Sequence, residues 1–228
     1  GTKNWVTSGI NCDYVILFAV TKQGIGHKGV SAFVVDKEWE GFSCGKPENK
    51  LGIRASDTCE LYFDNVKIPK ENLIGEEGMG FKIALATLDG GRIGIAAQAL
   101  GIAQASLDAS ISYSKERIQF GKPISANQGI QFKLADMAME IEASRLIIRQ
   151  AAYLKDKHLN FGPMASMAKV YASETAMKAS TNCVQIHGGN GYMRETGVER
   201  LMRDAKITQI YEGTSEIQRV VIARGLLN

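Results

Sequence analysis

The sequence has little cysteine and histidine, and neither residue type forms a pattern that would build a site. The four cysteines of the 228-residue chain are far apart and form no C-x-x-C pair. They are therefore typical of ordinary thiols in a reducing compartment, not of a disulfide framework or a zinc site. The three histidines have no metal-ligand spacing. We expect no structural metal.

Strong charge and long apolar runs are also missing. The net charge is only +3, and it is spread along the chain without a Lys/Arg cluster, which argues against a nucleic-acid partner. No window approaches the apolar length that spans a bilayer, so we expect no membrane partner. Residues 1–8 contain neither an initiating Met nor the basic and apolar regions of a signal peptide. We expect the chain to begin within a fold.

The first part of the chain has the pattern of β-structure. Strand-like runs rich in branched and aromatic residues occur at 14–20, 30–36, 41–45 and 58–64. Turn residues separate these runs and no helical stretch intervenes, so the pattern predicts antiparallel pairing.

After Pro69 and a glycine-rich segment at 75–80, the apolar period becomes helical. Three long helices are predicted at about 81–114, 127–157 and 163–187, with a shorter one at the end of the chain. In the second helix, Leu134, Met137, Ala138, Ile141 and Leu146 recur at helical spacing and are expected in a bundle core. The fold class is therefore α+β: a partial antiparallel β-domain at 1–72, then an antiparallel four-helix bundle at 73–228.

Residues 24–29 match the dinucleotide fingerprint G-x-G-x-x-G. That fingerprint requires a strand before it and a helix after it, so that the pyrophosphate meets a helix N-terminus. Here a second strand follows. The glycines are expected to form a hairpin loop and not a Rossmann site.

Glu212 is the most informative acidic residue. It lies between Tyr211 and Gly213, just before a predicted helix in which Ser215 and Gln218 have the spacing of a capping box. One interpretation is that the carboxylate only complements the start of the helix. The other is that it accepts a proton from a bound substrate.

Three further segments have both a structural and a ligand-binding interpretation. Gly188 and Gly189 follow the third helix, where one glycine would suffice for a cap. Arg117 and Phe120 follow the first helix, where they could bind phosphate and stack on a flat ring, or form only a surface loop. Glycines at 90 and 91 interrupt a good helix, which suggests close packing or ligand approach.

The order of these motifs resembles the acyl-CoA dehydrogenase family, closest to its short-chain, butyryl-CoA-type members. The resemblance covers the whole chain. The family's N-terminal helical domain and first β-strands have no counterpart in this sequence. The motifs that carry it are Trp5-Val-Thr-Ser8, Lys50-Leu-Gly-Ile-Arg-Ala-Ser-Asp57, Gly78-Met-Gly-Phe81, Asp89-Gly-Gly-Arg-Ile-Gly-Ile-Ala96, Arg117-Ile-Gln-Phe-Gly121, Gln185-Ile-His-Gly-Gly-Asn-Gly191 and Arg203-Asp-Ala-Lys-Ile-Thr-Gln-Ile-Tyr-Glu-Gly-Thr214.

The resemblance implies FAD-dependent conversion of a short-chain acyl-CoA to a trans-2-enoyl-CoA. Glu212 would remove the α-proton, and flavin N5 would accept the β-hydrogen as hydride. The implied substrate-binding residues are Asp89, Arg92, Tyr211 and Gly213. The implied FAD-binding residues are Trp5, Thr7, Arg117, Gln119, Phe120, Gln185, Gly188, Gly189, Thr214 and Glu216, with Arg117, Gln119 and Phe120 reaching the FAD of a neighbouring subunit.

The resemblance also implies electron-transferring flavoprotein as the redox partner and a homotetramer built as a dimer of dimers. The compartment would be the cytoplasm of a bacterium or the mitochondrial matrix of a eukaryote. Two alternatives stay open at this point: an acyl-CoA oxidase-type flavoenzyme, and a non-catalytic module for oligomerisation and the edge of the cofactor site.

Overall fold

The computed structural model describes residues 1–227 and divides into two compact units, Gly1–Thr87 and Leu88–Asn228. The first unit is built from antiparallel strands. Its strands are β1 (Thr2–Thr7), β2 (Tyr14–Val20), β3 (Val30–Asp36), β4 (Phe42–Cys44) and β5 (Thr58–Phe63). β2 and β3 form a hairpin, and β5 pairs with β1 on one side and β4 on the other.

The glycine-rich segment between β2 and β3 is a hairpin loop, as predicted. Gly24 and Gly26 have φ values of 80° and 61°, in the left-handed region that glycine tolerates without a steric penalty. β1 was not predicted. Its side chains are largely exposed, and Trp5, at φ 58°, lies within an irregularity in its pairing with β5. It therefore has none of the apolar alternation that marks a half-buried strand.

Three of the four cysteines surround Gly9 in this unit, a proximity that their separation in sequence did not indicate. The Sγ atoms of Cys12 and Cys44 each lie 3.2 Å from the Gly9 carbonyl oxygen, and all of the cysteines are free thiols. A Cβ atom on residue 9 would lie 2.7 Å from the Sγ of Cys59. Burial raises the pKa of both Cys12 and Cys59.

Within residues 1–227, no group of three His, Cys, Asp or Glu side chains is arranged to hold a metal ion. In the same range, no helix is both long and apolar enough to cross a membrane.

The second unit is helical. The helices of the chain are α1 (Gly80–Glu116), α2 (Gln128–Asp156), α3 (Gly162–His187), α4 (Gly189–Tyr192), α5 (Val198–Thr208) and α6 (Ser215–Leu227). A two-strand hairpin, β6 (Ile118–Gln119) and β7 (Lys122–Pro123), lies between α1 and α2. The long helices agree with the predicted ones to within about two residues, and the predicted fold class is confirmed.

α3 is the central helix of this unit and packs against α2, α5 and α6. Its buried residues are mostly small, including Ala168, Ala172, Ala176 and Ala179, so neighbouring helices can approach closely. The predicted stripe on α2 needs one correction. Ala138 and Leu146 are exposed, and the buried face continues instead through Ser144, Ile148 and Ala151.

Candidate active site

Glu212 lies on the turn that connects α5 to α6. The turn is closed by two backbone hydrogen bonds, in which Tyr211 N donates to Ile207 O at 3.1 Å and Ser215 N donates to Gln209 O at 3.0 Å. Glu212 itself has φ 55°, a left-handed conformation that few residues other than glycine adopt. Such a conformation is retained only where surrounding contacts impose it, and it is concentrated at functional sites.

Two fully buried side chains donate hydrogen bonds to the backbone carbonyl groups of this turn. Gln218 Nε2 donates to the carbonyl oxygens of Glu212 at 3.0 Å and of Gly213 at 3.1 Å. Lys169, on α3, donates from Nζ to the carbonyl oxygen of Gly213 at 2.7 Å. The two successive carbonyl groups therefore receive three hydrogen bonds.

The predicted capping box of Ser215 and Gln218 is wrong. α6 begins at Ser215, and the side chain that caps it is that of Thr214, whose Oγ1 accepts a hydrogen bond from Ile217 N at 3.4 Å. Ser215 Oγ is buried and has no hydrogen-bond partner among the described residues. The reason is the left-handed turn, which presents the Glu212 and Gly213 carbonyls to Gln218, so its amide binds them and not the start of the helix.

The Glu212 carboxylate lies against Gly91 of α1, which is an unbroken helix at this point. A Cβ atom on Gly91 would lie 2.6 Å from Oε2 of Glu212 and 3.1 Å from its Cδ. The carboxylate thus lies in space that any other residue at position 91 would fill. This contact accounts for the glycine at Gly91, which costs a helix about 1 kcal/mol relative to alanine. It also brings together two motifs that are more than a hundred residues apart in sequence.

Asp89 and Arg92 flank the same segment. Arg92 is 5% exposed and donates from Nη1 to Asp89 Oδ1 at 2.5 Å and to Ser166 Oγ of α3 at 3.5 Å. Its Nε is buried without a hydrogen-bond partner among the described residues. The substrate-binding role predicted for Asp89 and Arg92 stays a prediction, because in this chain their contacts are with each other and with α3.

Burial shifts the pKa of two groups beside the turn. It lowers the pKa of Lys169 to about 8; the positive charge of Arg92 acts in the same direction, and Glu174, Glu212 and Glu216 oppose it. It raises the pKa of Tyr211, whose hydroxyl donates a hydrogen bond to Gln98 Oε1. Perturbed groups of this kind are concentrated at functional sites, although buried structural networks also produce them.

The ends of α1 and α3, next to two of the predicted FAD-binding segments, contact each other at the opposite end of the helical unit. Tyr113, near the end of α1, stacks on His187 at the end of α3 with 4.2 Å between ring centroids, and its hydroxyl accepts a hydrogen bond from Asn190 Nδ2. These contacts join the last turn of α1, just before the hairpin that carries Arg117, Gln119 and Phe120, to the residues on either side of Gly188 and Gly189. Phe120, at φ 52°, is 97% exposed, and a Cβ atom on Gly188 or Gly189 would meet no atom within 4 Å.

The remaining predicted residues lie elsewhere. Thr214 and Glu216 line a cavity of about 170 Å³ at the start of α6, and a backbone hydrogen bond, together with one from Thr214, lowers the pKa of Glu216. Trp5, 72% exposed, and Thr7 belong to β1 of the first unit. Arg117 directly follows the last residue of α1 and is 26 positions after Gly91, which corresponds to about 39 Å of helix.

Sequence reasoning missed Lys169, which contacts the turn, and Ser166, which contacts Arg92, and it gave Gln218 a different role. One signal was present for Lys169. It is a single charged residue among the small and apolar residues Met164-Ala-Ser-Met-Ala168 and Val170-Tyr-Ala-Ser173. Because a lysine is rarely buried without a partner, a lone lysine in such a segment indicates a specific contact.

Models of protein families match nearly all of the chain. The acyl-CoA dehydrogenase middle domain matches residues 1–66, and the acyl-CoA dehydrogenase C-terminal domain matches residues 78–227. The chain belongs to the acyl-CoA dehydrogenase family. The predicted resemblance is therefore confirmed.

Individual acyl-CoA dehydrogenase relatives agree with this assignment. The chain is 56% identical to an acyl-CoA dehydrogenase of Bacillus subtilis, covering 100% of this chain and 60% of the relative. The solved butyryl-CoA dehydrogenase of Megasphaera elsdenii is similar with a TM-score of 0.99 and 53% identity, covering 100% and 60% of the two chains. A chain in a structure described as the electron transferring flavoprotein of Acidaminococcus fermentans has a TM-score of 0.99 and 51% identity, with the same coverage. The chain thus spans about 60% of the length of these relatives.

Proposed function

We propose that the complete protein removes two hydrogens from a short-chain acyl-CoA thioester to give a trans-2-enoyl-CoA, with Glu212 as the base for the α-proton. One observation carries the proposal: the half-buried Glu212 carboxylate is held by a left-handed turn in the space that Gly91 leaves open. The named relatives support the choice of substrate, since one is a butyryl-CoA dehydrogenase.

A carboxylate can perform this step only with help at the thioester. The α-proton of a thioester is too weakly acidic for an unassisted carboxylate, so donors must polarise the carbonyl oxygen. The backbone N–H of Glu212 would be one of these donors. A bound thioester would also exclude water from the carboxylate and strengthen its interaction with the proton. Positions 90 and 91 are glycines, so α1 carries no competing acid at either position, and the neighbouring Asp89 is paired with Arg92.

The described residues fit FAD as the cofactor. Exposed Phe120 offers a flat apolar ring, Arg117 a guanidinium suited to phosphate, and Gly188 and Gly189 an open backbone surface without side chains. When bound, FAD would supply the redox chemistry by accepting the β-hydrogen as hydride. Trp5, Thr7, Gln119, Gln185, Thr214 and Glu216 would complete its binding site, and Tyr211 and Gly213 would line the thioester end of the substrate site.

We further propose that the protein is a homo-oligomer. The Arg117 hairpin is about 39 Å along α1 from the Glu212 turn, so one FAD beside Glu212 would reach such a hairpin most readily from a second copy. α2 also carries an exposed apolar stripe of every seventh residue: Phe132, Met139, Leu146 and Tyr153. At 100° per residue this stripe is opposite the buried face of α2, so both faces of the helix are apolar. A tetramer built as a dimer of dimers would cover it.

The electron acceptor is proposed to be electron-transferring flavoprotein, in keeping with the description of one structural relative. An acyl-CoA oxidase is the alternative, and it would transfer the electrons to oxygen. The two are distinguished by mixing reduced enzyme either with electron-transferring flavoprotein or with oxygen. Rapid electron transfer with little peroxide supports the dehydrogenase, and stoichiometric peroxide release supports the oxidase.

The experiment that tests the proposed function is an anaerobic spectrum of the complete, FAD-loaded protein during titration with butyryl-CoA. Loss of the oxidised flavin absorbance, together with formation of crotonyl-CoA, is the expected result. Protein that binds FAD but shows no change on titration would contradict it. Protein that cannot be loaded with FAD would instead support the non-catalytic module.

A further inference from the structure

Lys169 is a fully buried lysine whose ammonium group has no carboxylate partner. Its side chain is 0% exposed, and its Nζ donates to the neutral carbonyl of Gly213 at 2.7 Å. Within residues 1–227, none of the ion pairs includes it. Lysine is almost never fully buried unless it is paired. This arrangement therefore needs an explanation.

Burial of this ammonium group has an electrostatic cost. Its pKa is lowered to about 8 because burial disfavours the charged form, and the charge of Arg92 on α1 adds to the effect. Three carboxylates only partly offset this: Glu174 on α3, Glu212 on the turn and Glu216 on α6. Replacing buried charges by apolar side chains of similar volume is often neutral or stabilising. A methionine at position 169 would therefore be expected to maintain or raise stability.

Lys169 contacts the residue that directly follows the proposed base. Gly213 follows Glu212, and Gln218 Nε2 bonds the carbonyls of both residues. Once these carbonyl groups are fixed, the direction in which the Glu212 side chain leaves its left-handed backbone is also fixed. That direction places the carboxylate against Gly91, with Oε2 2.6 Å from the position of a Cβ atom there.

We propose that Lys169 is a positioning residue, whose ammonium group holds the Gly213 carbonyl so that the Glu212 carboxylate stays against Gly91. The catalytic consequence rests on the proposed function. The effect on the geometry of the turn does not depend on it.

The test is Lys169→Met in the complete, FAD-loaded protein, with Lys178→Met as the matched control. Lys178 is on the same helix, but it is exposed and paired with Glu140. For Lys169→Met we expect kcat to fall about tenfold or more, because small displacements of a reacting group are costly. We expect KM for butyryl-CoA to stay within about threefold, flavin content to be unchanged and Tm to be equal or higher. Lys178→Met should retain wild-type kcat.

A second readout needs no substrate. Hydrogen–deuterium exchange of the peptide that contains residues 211–215 should be about fivefold faster or more in Lys169→Met, and unchanged in Lys178→Met, because the turn loses one of the three hydrogen bonds to its carbonyl groups. If the wild-type protein had no dehydrogenase activity, the proposed function would fail and this exchange would still decide the positioning role. Exchange at the wild-type rate in Lys169→Met would overturn the proposal, as would a kcat within about threefold of an active wild type. Faster exchange throughout the chain with lower Tm and lost flavin would also overturn it, because Lys169 would then be merely structural.

Discussion

At the scale of single residues, the site depends both on a missing side chain at one position and on two buried hydrogen-bond donors. Gly91 provides the space for the Glu212 carboxylate, and Lys169 and Gln218 supply donors to the carbonyls behind it. The position of Glu212, between an aromatic residue and a glycine before a helix, was a local signal, but its role as the base came from the family resemblance and stays a prediction. Lys169 and Gly213 are 44 residues apart in sequence, and no local pattern encodes their contact.

Gly91→Ala should raise the stability of the protein and lower its activity. Alanine favours the helix by about 1 kcal/mol, but its Cβ would displace the Glu212 carboxylate. We expect dehydrogenation to fall about a hundredfold, without loss of flavin. Steady-state kinetics with butyryl-CoA measures the effect.

Gly101→Ala is the control for Gly91→Ala, since Gly101 is on the same helix and a Cβ there meets no atom within 4 Å. It should stabilise the protein and retain its activity. Equal activity in Gly91→Ala and Gly101→Ala would show that the Glu212 carboxylate does not need the space at position 91.

The titration of Lys169 should appear in the pH dependence of stability. Its folded pKa of about 8 is below the ordinary value of 10.5, so the unfolded chain binds more protons between these values. The contribution of Lys169 to stability is therefore unfavourable below about pH 8 and is relieved as the pH rises toward 10.5. Urea unfolding of wild type and Lys169→Met should show a difference that favours the variant at pH 7 and shrinks across this window. A difference that grows with pH would contradict the assignment.

At the scale of elements, helical periodicity determined most of what could be predicted. The three long helices were predicted to within about two residues because their apolar spacing is sustained over many turns. α5 was missed although Val198, Met202 and Ala205 have helical spacing, because its 11 residues sustain that spacing over only three turns. The start of α6 was displaced by one residue because sequence spacing alone cannot show which hydroxyl faces the helix.

The corrected cap can be tested with two neighbouring substitutions. Thr214→Ala removes the acceptor for Ile217 N and should lower the free energy of unfolding by about 1 kcal/mol. Ser215→Ala removes a buried hydroxyl that has no partner among the described residues, and should be neutral or stabilising. Urea denaturation gives both values. The opposite order would restore Ser215 as the capping residue.

At the scale of the whole molecule, the chain has surfaces that it does not cover itself. The stripe of Phe132, Met139, Leu146 and Tyr153 is exposed on α2, and Phe120 is at the tip of an exposed hairpin. Such surfaces are typical of association sites. The stripe could not be located from the sequence, because an apolar helix position has the same period whether the partner is in the same chain or in another. Phe120, in contrast, was singled out by the family resemblance.

Leu146→Glu should weaken the proposed oligomer, because it places a charge at the centre of the apolar stripe. Light scattering after size-exclusion chromatography should show a smaller assembly for this variant, and an unchanged mass for Leu146→Met, which keeps the surface apolar. An unchanged mass for both variants would show that the stripe on α2 is not an interface between copies.

The most direct test of the account is Glu212→Gln in the complete, FAD-loaded protein, with exposed Glu195→Gln as the control. Glutamine keeps the size of the side chain and removes its ability to accept the α-proton. We expect unchanged flavin absorbance and butyryl-CoA binding, a rate of flavin reduction lower by about a hundredfold or more, and full activity in the control. Flavin reduction by Glu212→Gln within about tenfold of the wild-type rate would contradict the assignment of Glu212 as the base.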